Sequence, residues 1–238
     1  MFNVITFKEL DSTNKYAKEN IDSLNNYDVV LALNQTKGRG REKRVWVSSS
    51  SSLTFSIVIK DDNLDKMFSS LSLLSAASVY LGLSKYLKNG LSIKWPNDIY
   101  YKDKKICGIL LEGVSYSDSL KAVIIGIGIN VNNNEEELTS LNATSLFLET
   151  SKKYNTDAVF NSVLVSFDML YNELKLGKKS YYEIIKNNNY LKDKEAYAFI
   201  DKKKVKIKVL DVLDNDKLLV KNDDKLSELS TGEISFHL

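Results

Sequence analysis

Lys37-Gly38-Arg39-Gly40-Arg41-Glu42-Lys43-Arg44-Val45-Trp46 sets five cations against one carboxylate within ten residues. The whole chain of 238 residues carries only +2, so the cluster is no echo of composition. Its two glycines allow a tight turn, and successive N–H groups in such a turn form an anion-binding concavity. Arginine adds planar forks of donors that match carboxylate or phosphate oxygens. Trp46 closes the run with a flat apolar surface on which a heterocycle can stack. Glycine, arginine and tryptophan together describe a loop that closes over a ring-bearing anion. The competing reading is a solvated basic loop, the commoner fate of an arbitrary basic run. The flanks bear on the choice. Val29 to Leu33 is a continuous apolar strand before the loop, and Leu53 to Ile59 alternates as a strand after it. The serines 48–52 between loop and second strand read as a flexible turn.

Working outward, residues 2–7 read as a short strand, and Asp11-Ser12-Thr13-Asn14 offers N-caps for a helix over about 14–24. Helical spacing runs from Leu64 to Lys88 and stops at Asn89-Gly90. Strands follow over 91–95, 99–101, 105–114 and 121–131, with a hairpin turn over 101–105 and a polar loop over 132–137. Helices are expected over 157–176 and 180–188. From about Tyr190 short strands alternate with Asp/Asn/Lys turns, the texture of a small barrel. The expected organisation is therefore α+β, with residues 1–189 a mixed sheet flanked by helices and 190–238 a small C-terminal β-barrel.

Composition removes several function classes. The one cysteine, Cys107, excludes an internal disulfide framework and fits a reducing compartment. No uninterrupted apolar run approaches the ~18 residues that span a bilayer, and the N-terminus reads as a strand, so a soluble cytoplasmic protein is expected, with no membrane partner. The near-balanced charge argues against a general nucleic-acid binder, and no DNA partner is expected. The lone histidine, His237, leaves little room for histidine-based acid–base chemistry or for clustered His/Cys metal ligands. An enzyme built from this inventory works by positioning and charge stabilisation.

Four further stretches can carry chemistry. Lys94-Trp95-Pro96-Asn97-Asp98 holds the only proline and puts two oxygen donors at a strand corner; an ordinary Pro-Asn-Asp turn is the bland alternative. In Lys104-Lys105-Ile106-Cys107-Gly108-Ile109-Leu110-Leu111-Glu112, a charged pair enters an apolar strand, and the interior Gly108 marks a close approach by a ligand or another backbone. Cys107 reads as a small apolar residue. Gly126-Ile127-Gly128-Ile129-Asn130 puts two glycines on one strand face, a flat floor, with the Asn130 amide on that same face; tight strand packing is the alternative, and the third glycine of a dinucleotide fingerprint is missing. Ser12-Thr13-Asn14 can recognise a neutral polar head such as a cyclic urea, or simply cap a helix.

In their order these stretches resemble the biotin protein ligase family, the biotin–[acetyl-CoA-carboxylase] ligases. The matching pieces are Asp11-Ser12-Thr13-Asn14, Gln35 to Arg41, Trp46, Lys94 to Asp98, Lys105 to Leu110 and Gly126 to Asn130, with Gly232-Glu233-Ile234-Ser235 at the end. The resemblance implies a biotin/lipoate ligase-like catalytic domain and an SH3-like C-terminal barrel. It implies biotin and ATP as substrates, Mg²⁺, and a lysine of a biotin carboxyl carrier protein as acceptor. It assigns Ser12, Thr13, Asn14, Gln35, Gly38, Arg39, Gly108 and Gly128 to biotin. Arg41, Arg44, Trp46, Asn97, Lys105 and Asn130 go to the nucleotide, with Trp46 near the adenine. Arg39, Arg41 and Lys105 fall to catalysis, and Asn97 and Asp98 to the metal. Lys43 stands where the family often has glycine, and Cys107 where a small residue is usual. The start at the catalytic domain points to the short monofunctional class without a DNA-binding domain. The family contains monomers and dimers that pair through the central sheet, so the oligomeric state stays open.

The implied reaction joins a carboxylate to the α-phosphorus of ATP and then passes the acyl group to an amine. It needs cations and no protein nucleophile. The loop is expected to be mobile until anions order it. The nearest rival is a lipoate or octanoate ligase or transferase of the same fold, whose transferases use a cysteine. A second rival is a non-catalytic regulator that senses biotin or binds nucleic acid.

Overall fold

Alternation of apolar residues along the central strands decides the architecture, because it gives the sheet one face to bury and one to leave open. The computed structural model describes residues 2–41, 44–116, 119–138, 141–200, 203–223 and 225–230. Lys43, the 232–235 segment and His237 lie outside them. The elements are β1 (Asn3–Phe7), α1 (Thr13–Glu19), β2 (Asp28–Ala32), β3 (Ser52–Ile59), α2 (Leu64–Ser84), β4 (Leu91–Lys94), β5 (Asp98–Tyr101), β6 (Lys104–Tyr116) and β7 (Ser119–Asn130). There follow α3 (Glu135–Leu138), α4 (Leu146–Thr150), α5 (Thr156–Lys175), α6 (Ser180–Asn187), β8 (Glu195–Ile200), β9 (Lys203–Val212), β10 (Leu218–Asn222) and β11 (Lys225–Leu229).

The first seven strands form one mixed sheet in the order β1-β2-β3-β7-β6-β5-β4, with only β1 and β2 parallel among its strand pairs. On its back face Leu53, Phe55, Ile57, Ile59, Ile99, Cys107, Ile109, Ile125, Ile127 and Ile129 pack into one buried cluster with α2 and α5. On its front face, α1 and the turn after it cover only one end, where Ala17, Ile21 and Leu24 meet Val30, Val58, Ala122 and Ile124. The other end of the front face carries Ser52, Thr54, Ser56, Gly126, Gly128, Asn130 and Gly108. This end is polar or bare where the back is apolar, and the site forms on it.

The remaining strands make a four-stranded antiparallel meander, β11-β10-β9-β8. Its inward residues, among them Ile207, Val209, Leu218 and Val220, continue the main buried cluster. Among the described residues it is an open sheet, and the expected closure into an SH3-like barrel is not seen. Elsewhere the expected elements are present with shifted ends. Helix α1 stops at Glu19, and Asn20 caps it, its backbone N–H and its side chain both donating to the Tyr16 carbonyl (3.0 and 2.9 Å). The polar stretch expected as a loop contains α3, and α4 is N-capped by Ser145, whose hydroxyl accepts from the Leu148 N–H at 3.1 Å. The serine run is tied down: Ser49 donates to Glu137, and Asn133 donates to Ser52 at 2.9 Å.

Helix α2 is long and apolar enough to cross a membrane, with a mean hydropathy of 1.4, although no unbroken apolar run signalled it. Two-thirds of that stretch (67%) is buried inside the fold, and α2 is the core helix behind the sheet. It meets α5 at Gly82, where an added Cβ would lie 2.7 Å from Val163 Cγ2 and 3.1 Å from the Val163 backbone. Gly82→Ala gains about 1 kcal/mol of helix propensity but must push two helices apart, a cost of about 1–3 kcal/mol. A net loss in thermal midpoint of a few degrees, about 2–4 °C per kcal/mol, is the expected outcome of a melting curve.

Candidate active site

In the register of β6 and β7, Gly108 lies opposite Gly128 and Leu110 opposite Gly126. A Cβ on Gly128 would overlap the indole of Trp46, and one on Gly126 would overlap the amide of Asn14. The glycines are therefore required by close approach, and a cavity of about 310 Å³ lies above them. That is the lower end of the range of small-molecule sites.

The described parts of the cationic loop, residues 37–41 and 44–46, pair with each other over this floor. Gly40 N–H donates to the Arg44 carbonyl (2.7 Å), Trp46 N–H to the Gly38 carbonyl (3.0 Å), and Arg39 bridges Val45. The Trp46 ring reaches both Gly108 and Gly128, so it stands on the positions assigned to biotin as well as beside the nucleotide groups. Its buried Nε1–H lies against Gly128 and has no hydrogen-bond partner among the described residues.

One end of the cavity is cationic. Asn97 sits at the corner before β5, anchored by its Nδ2 donating to the Ile109 carbonyl (2.7 Å), and its Oδ1 accepts from Arg41 Nη1 at 3.1 Å. Next to it Asp98 pairs with Lys105, Nζ to Oδ1 at 2.7 Å. Lys105 reaches this face through a β-bulge: Ile99 pairs with Cys107 but Tyr100 with Lys105, so Ile106 is the extra residue. Without the bulge, Lys105 would share the back face with Cys107. Lys94 also lines this end and donates to the Tyr100 hydroxyl at 3.2 Å. Desolvation pulls the Lys94 ammonium below its usual pKa against the opposing pull of Asp98, and burial pushes the Tyr100 phenol up to about 12.

The other end is neutral and densely hydrogen-bonded. Ser12 caps α1. Thr13 donates twice to Gln35 Oε1, from its N–H at 2.8 Å and its hydroxyl at 3.1 Å. The Ser56 hydroxyl lies 2.7 Å from Thr13 Oγ1 and 2.6 Å from Asn14 Oδ1. Asn14 in turn donates to Glu112 Oε2 at 2.8 Å, and Arg39 Nη2 pairs with the same oxygen at 3.2 Å. Glu112 thus ties the flap to α1 through one carboxylate.

Ser12, Thr13, Asn14, Gln35, Arg39, Arg41, Arg44, Trp46, Asn97, Asp98, Lys105, Gly108, Gly128 and Asn130 all line this one cavity. Gly38 instead sits at the base of the loop, where a Cβ would overlap the Trp46 carbonyl. Asn130 donates to the Thr144 carbonyl at 3.0 Å, so its amide braces the cavity wall. Sequence reasoning missed Ser56, Glu112, Lys94 and Tyr100 as site residues. Glu112 had one signal, a carboxylate at the end of an otherwise apolar run, and Ser56 had only its place in an alternating strand.

The sequence profile of the biotin/lipoate A/B protein ligase family matches residues 6–130. The chain belongs to the biotin/lipoate A/B protein ligase family. Among its relatives in that family is the bifunctional ligase/repressor BirA of Bacillus subtilis, 37% identical over 150 residues, 61% of this chain and 46% of that protein. The biotin–[acetyl-CoA-carboxylase] ligase of Paracoccus denitrificans is 36% identical over 123 residues, 51% of each chain. The chain spans about half the length of these relatives. A solved structure of biotin protein ligase from Aquifex aeolicus in complex with biotin and ATP superposes with a TM-score of 0.87. It is 30% identical and covers 99% of this chain and 98% of that one.

Cys107 faces the helices, is 0% exposed, and has its thiol pushed well above its usual pKa by burial. Native protein at pH 8 is expected to take up no iodoacetamide by mass spectrometry, while the denatured chain takes up one equivalent. Rapid native alkylation would contradict a structural thiol.

Proposed function

We propose that this chain is a biotin–protein ligase. It adenylates biotin with ATP and passes the acyl group to a lysine of a biotin carboxyl carrier protein. The observation that carries the reading is the polarity of a single cavity, neutral donors and acceptors at one end and four cations at the other, over a floor of glycines. A cyclic urea presents one acceptor and two donors, and Ser12, Thr13, Asn14 and Gln35 offer the complementary set. A dithiolane offers no hydrogen-bonding group of comparable strength, so such a site disfavours lipoate. Cys107, on the far face of the sheet, gives a cysteine-dependent transferase no nucleophile.

In the first half-reaction the biotin carboxylate forms a bond to the α-phosphorus of ATP, and the bond to pyrophosphate breaks. Two anions must approach, and the four cations of the charged end, Arg41, Arg44, Lys94 and Lys105, lower that barrier by charge. Lys105, aimed by its bulge and steadied by Asp98, addresses the reacting oxygens. Arg41 is oriented by Asn97. In the second half-reaction the acceptor amine attacks the acyl carbon, AMP leaves, and the amine loses its proton. The flap excludes water from the mixed anhydride in between. Asn97 and Asp98 supply oxygen donors suited to a magnesium ion held chiefly by phosphates, which would neutralise charge on the nucleotide. We also divide the chain at residues 189 and 190, the second unit SH3-like.

Incubation with biotin and Mg-ATP is expected to yield pyrophosphate and a biotinyl-AMP mass; absence of both would refute the reading. Arg41→Ala, which removes a charge-assisted contact of about 1.5–3 kcal/mol, is expected to release the intermediate about tenfold or more faster. Leakage equal to that of the unsubstituted protein would remove Arg41 from the clamp. Glu112→Gln is expected to raise the KM for biotin several-fold and leave that for ATP unchanged, because both of its partners lie at the neutral end; equal rises in steady-state kinetics would contradict this.

A further inference from the structure

The corner that aims Arg41 and Lys105 is braced from behind by the second sheet. The turn between β9 and β10 runs through Leu213 to Lys217, with Leu213 N–H donating to the Lys217 carbonyl at 2.8 Å. At its tip Asp216 takes a left-handed conformation (φ 68°) and is only 6% exposed. Its carboxylate accepts from Ser70 Oγ on α2 (2.5 Å) and from the Tyr181 hydroxyl on α6 (2.8 Å). Its backbone carbonyl accepts from Trp95 Nε1 at 3.3 Å. Trp95 is 1% exposed and immediately precedes Pro96, Asn97 and Asp98. Ser72, two residues beyond Ser70 on α2, donates to the Pro96 carbonyl at 3.4 Å. Among the described residues no cation pairs with Asp216, so a buried carboxylate depends on two hydroxyls for its stabilisation.

Burying a carboxylate without a cation is costly, and an apolar hairpin tip would fill the same notch at lower cost. What the carboxylate adds is position. Its two hydroxyl bonds pin the tip to α2 and α6, and that fixes the carbonyl that holds the Trp95 indole. The indole in turn fixes the backbone from which Asn97 meets Arg41 and Asp98 meets Lys105.

We propose that Asp216 is a positioning residue for the nucleotide end of the site, acting through Trp95 on the Asn97–Asp98 corner. The proposal rests on the adenylating reading above and deepens it: the second sheet tunes use of ATP and not of biotin. Asp216→Gly suits the left-handed backbone and deletes only the anchor. Asp216→Asn keeps the backbone and an acceptor oxygen as the conservative control, and Tyr181→Phe, which removes one of the two anchoring hydroxyls, replaces the glycine variant in both readouts if that variant fails to fold.

Two readouts test the proposal. In steady-state assays Asp216→Gly is expected to raise the KM for ATP at least fivefold with the KM for biotin unchanged, and Asp216→Asn to restore most of the loss. A lowered melting point with both KM values unchanged, or equal rises in both, would overturn it. In a Trp46→Phe background Trp95 is the sole tryptophan, and acrylamide quenching of its emission is expected to rise about twofold on Asp216→Gly. Unchanged quenching would overturn the link to Trp95 whether or not the protein releases pyrophosphate. Failure of pyrophosphate release in the unsubstituted protein would instead overturn the adenylating reading.

Discussion

Two glycines face each other across the middle of the sheet, Gly108 on β6 and Gly128 on β7, and the cavity exists because neither carries a side chain. Next to these glycines on the same strands, Ile127, Ile129, Cys107 and Ile109 all turn back into the core. The back face supplies the burial that makes the sheet stable. The front face is free to be polar and, at its centre, empty. A flap that carries a tryptophan can then lie directly on backbone, at a depth that a sheet bearing ordinary side chains would not allow.

Charge is distributed along that floor with the same economy. At one end hydroxyl and amide groups are tied together through Ser56 and Glu112, whose charge Arg39 balances. At the other, Arg41 and Lys105 are held by oxygens on two consecutive residues, Asn97 and Asp98. A ligand that is neutral at one end and anionic at the other matches this gradient in a single orientation. Orientation is most of what a reaction between two anions needs, since reacting groups fixed in place avoid a large entropic barrier. Such a reaction needs no histidine and no thiol, in keeping with the buried Cys107.

Much of this was legible in the sequence because it is written in residue types with few structural alternatives. Glycine doublets, the single proline and a dense cationic loop mark positions where backbone geometry or charge is constrained, and each falls on the cavity. The bulge at Ile106 has no such mark, since one extra residue in a strand leaves the composition unchanged. The role of Glu112 was hidden because a carboxylate at a strand end usually faces water. Helices α3 and α4 are too short for a periodic signal to emerge. Asp216 lay among many Asp/Asn/Lys turns, and only its hydrogen bonds to Ser70 on α2 and Tyr181 on α6 single it out.

Direct joining of the carboxylate to the nucleotide is the claim on which the whole account stands, and an oxygen label tests it without mutation. With biotin carrying ¹⁸O in both carboxylate positions, one turnover onto an acceptor lysine should leave one ¹⁸O in the AMP released, read by mass spectrometry. AMP free of label, formed alongside biotinylated acceptor, would mean that the acyl group travelled by another route and would contradict the account.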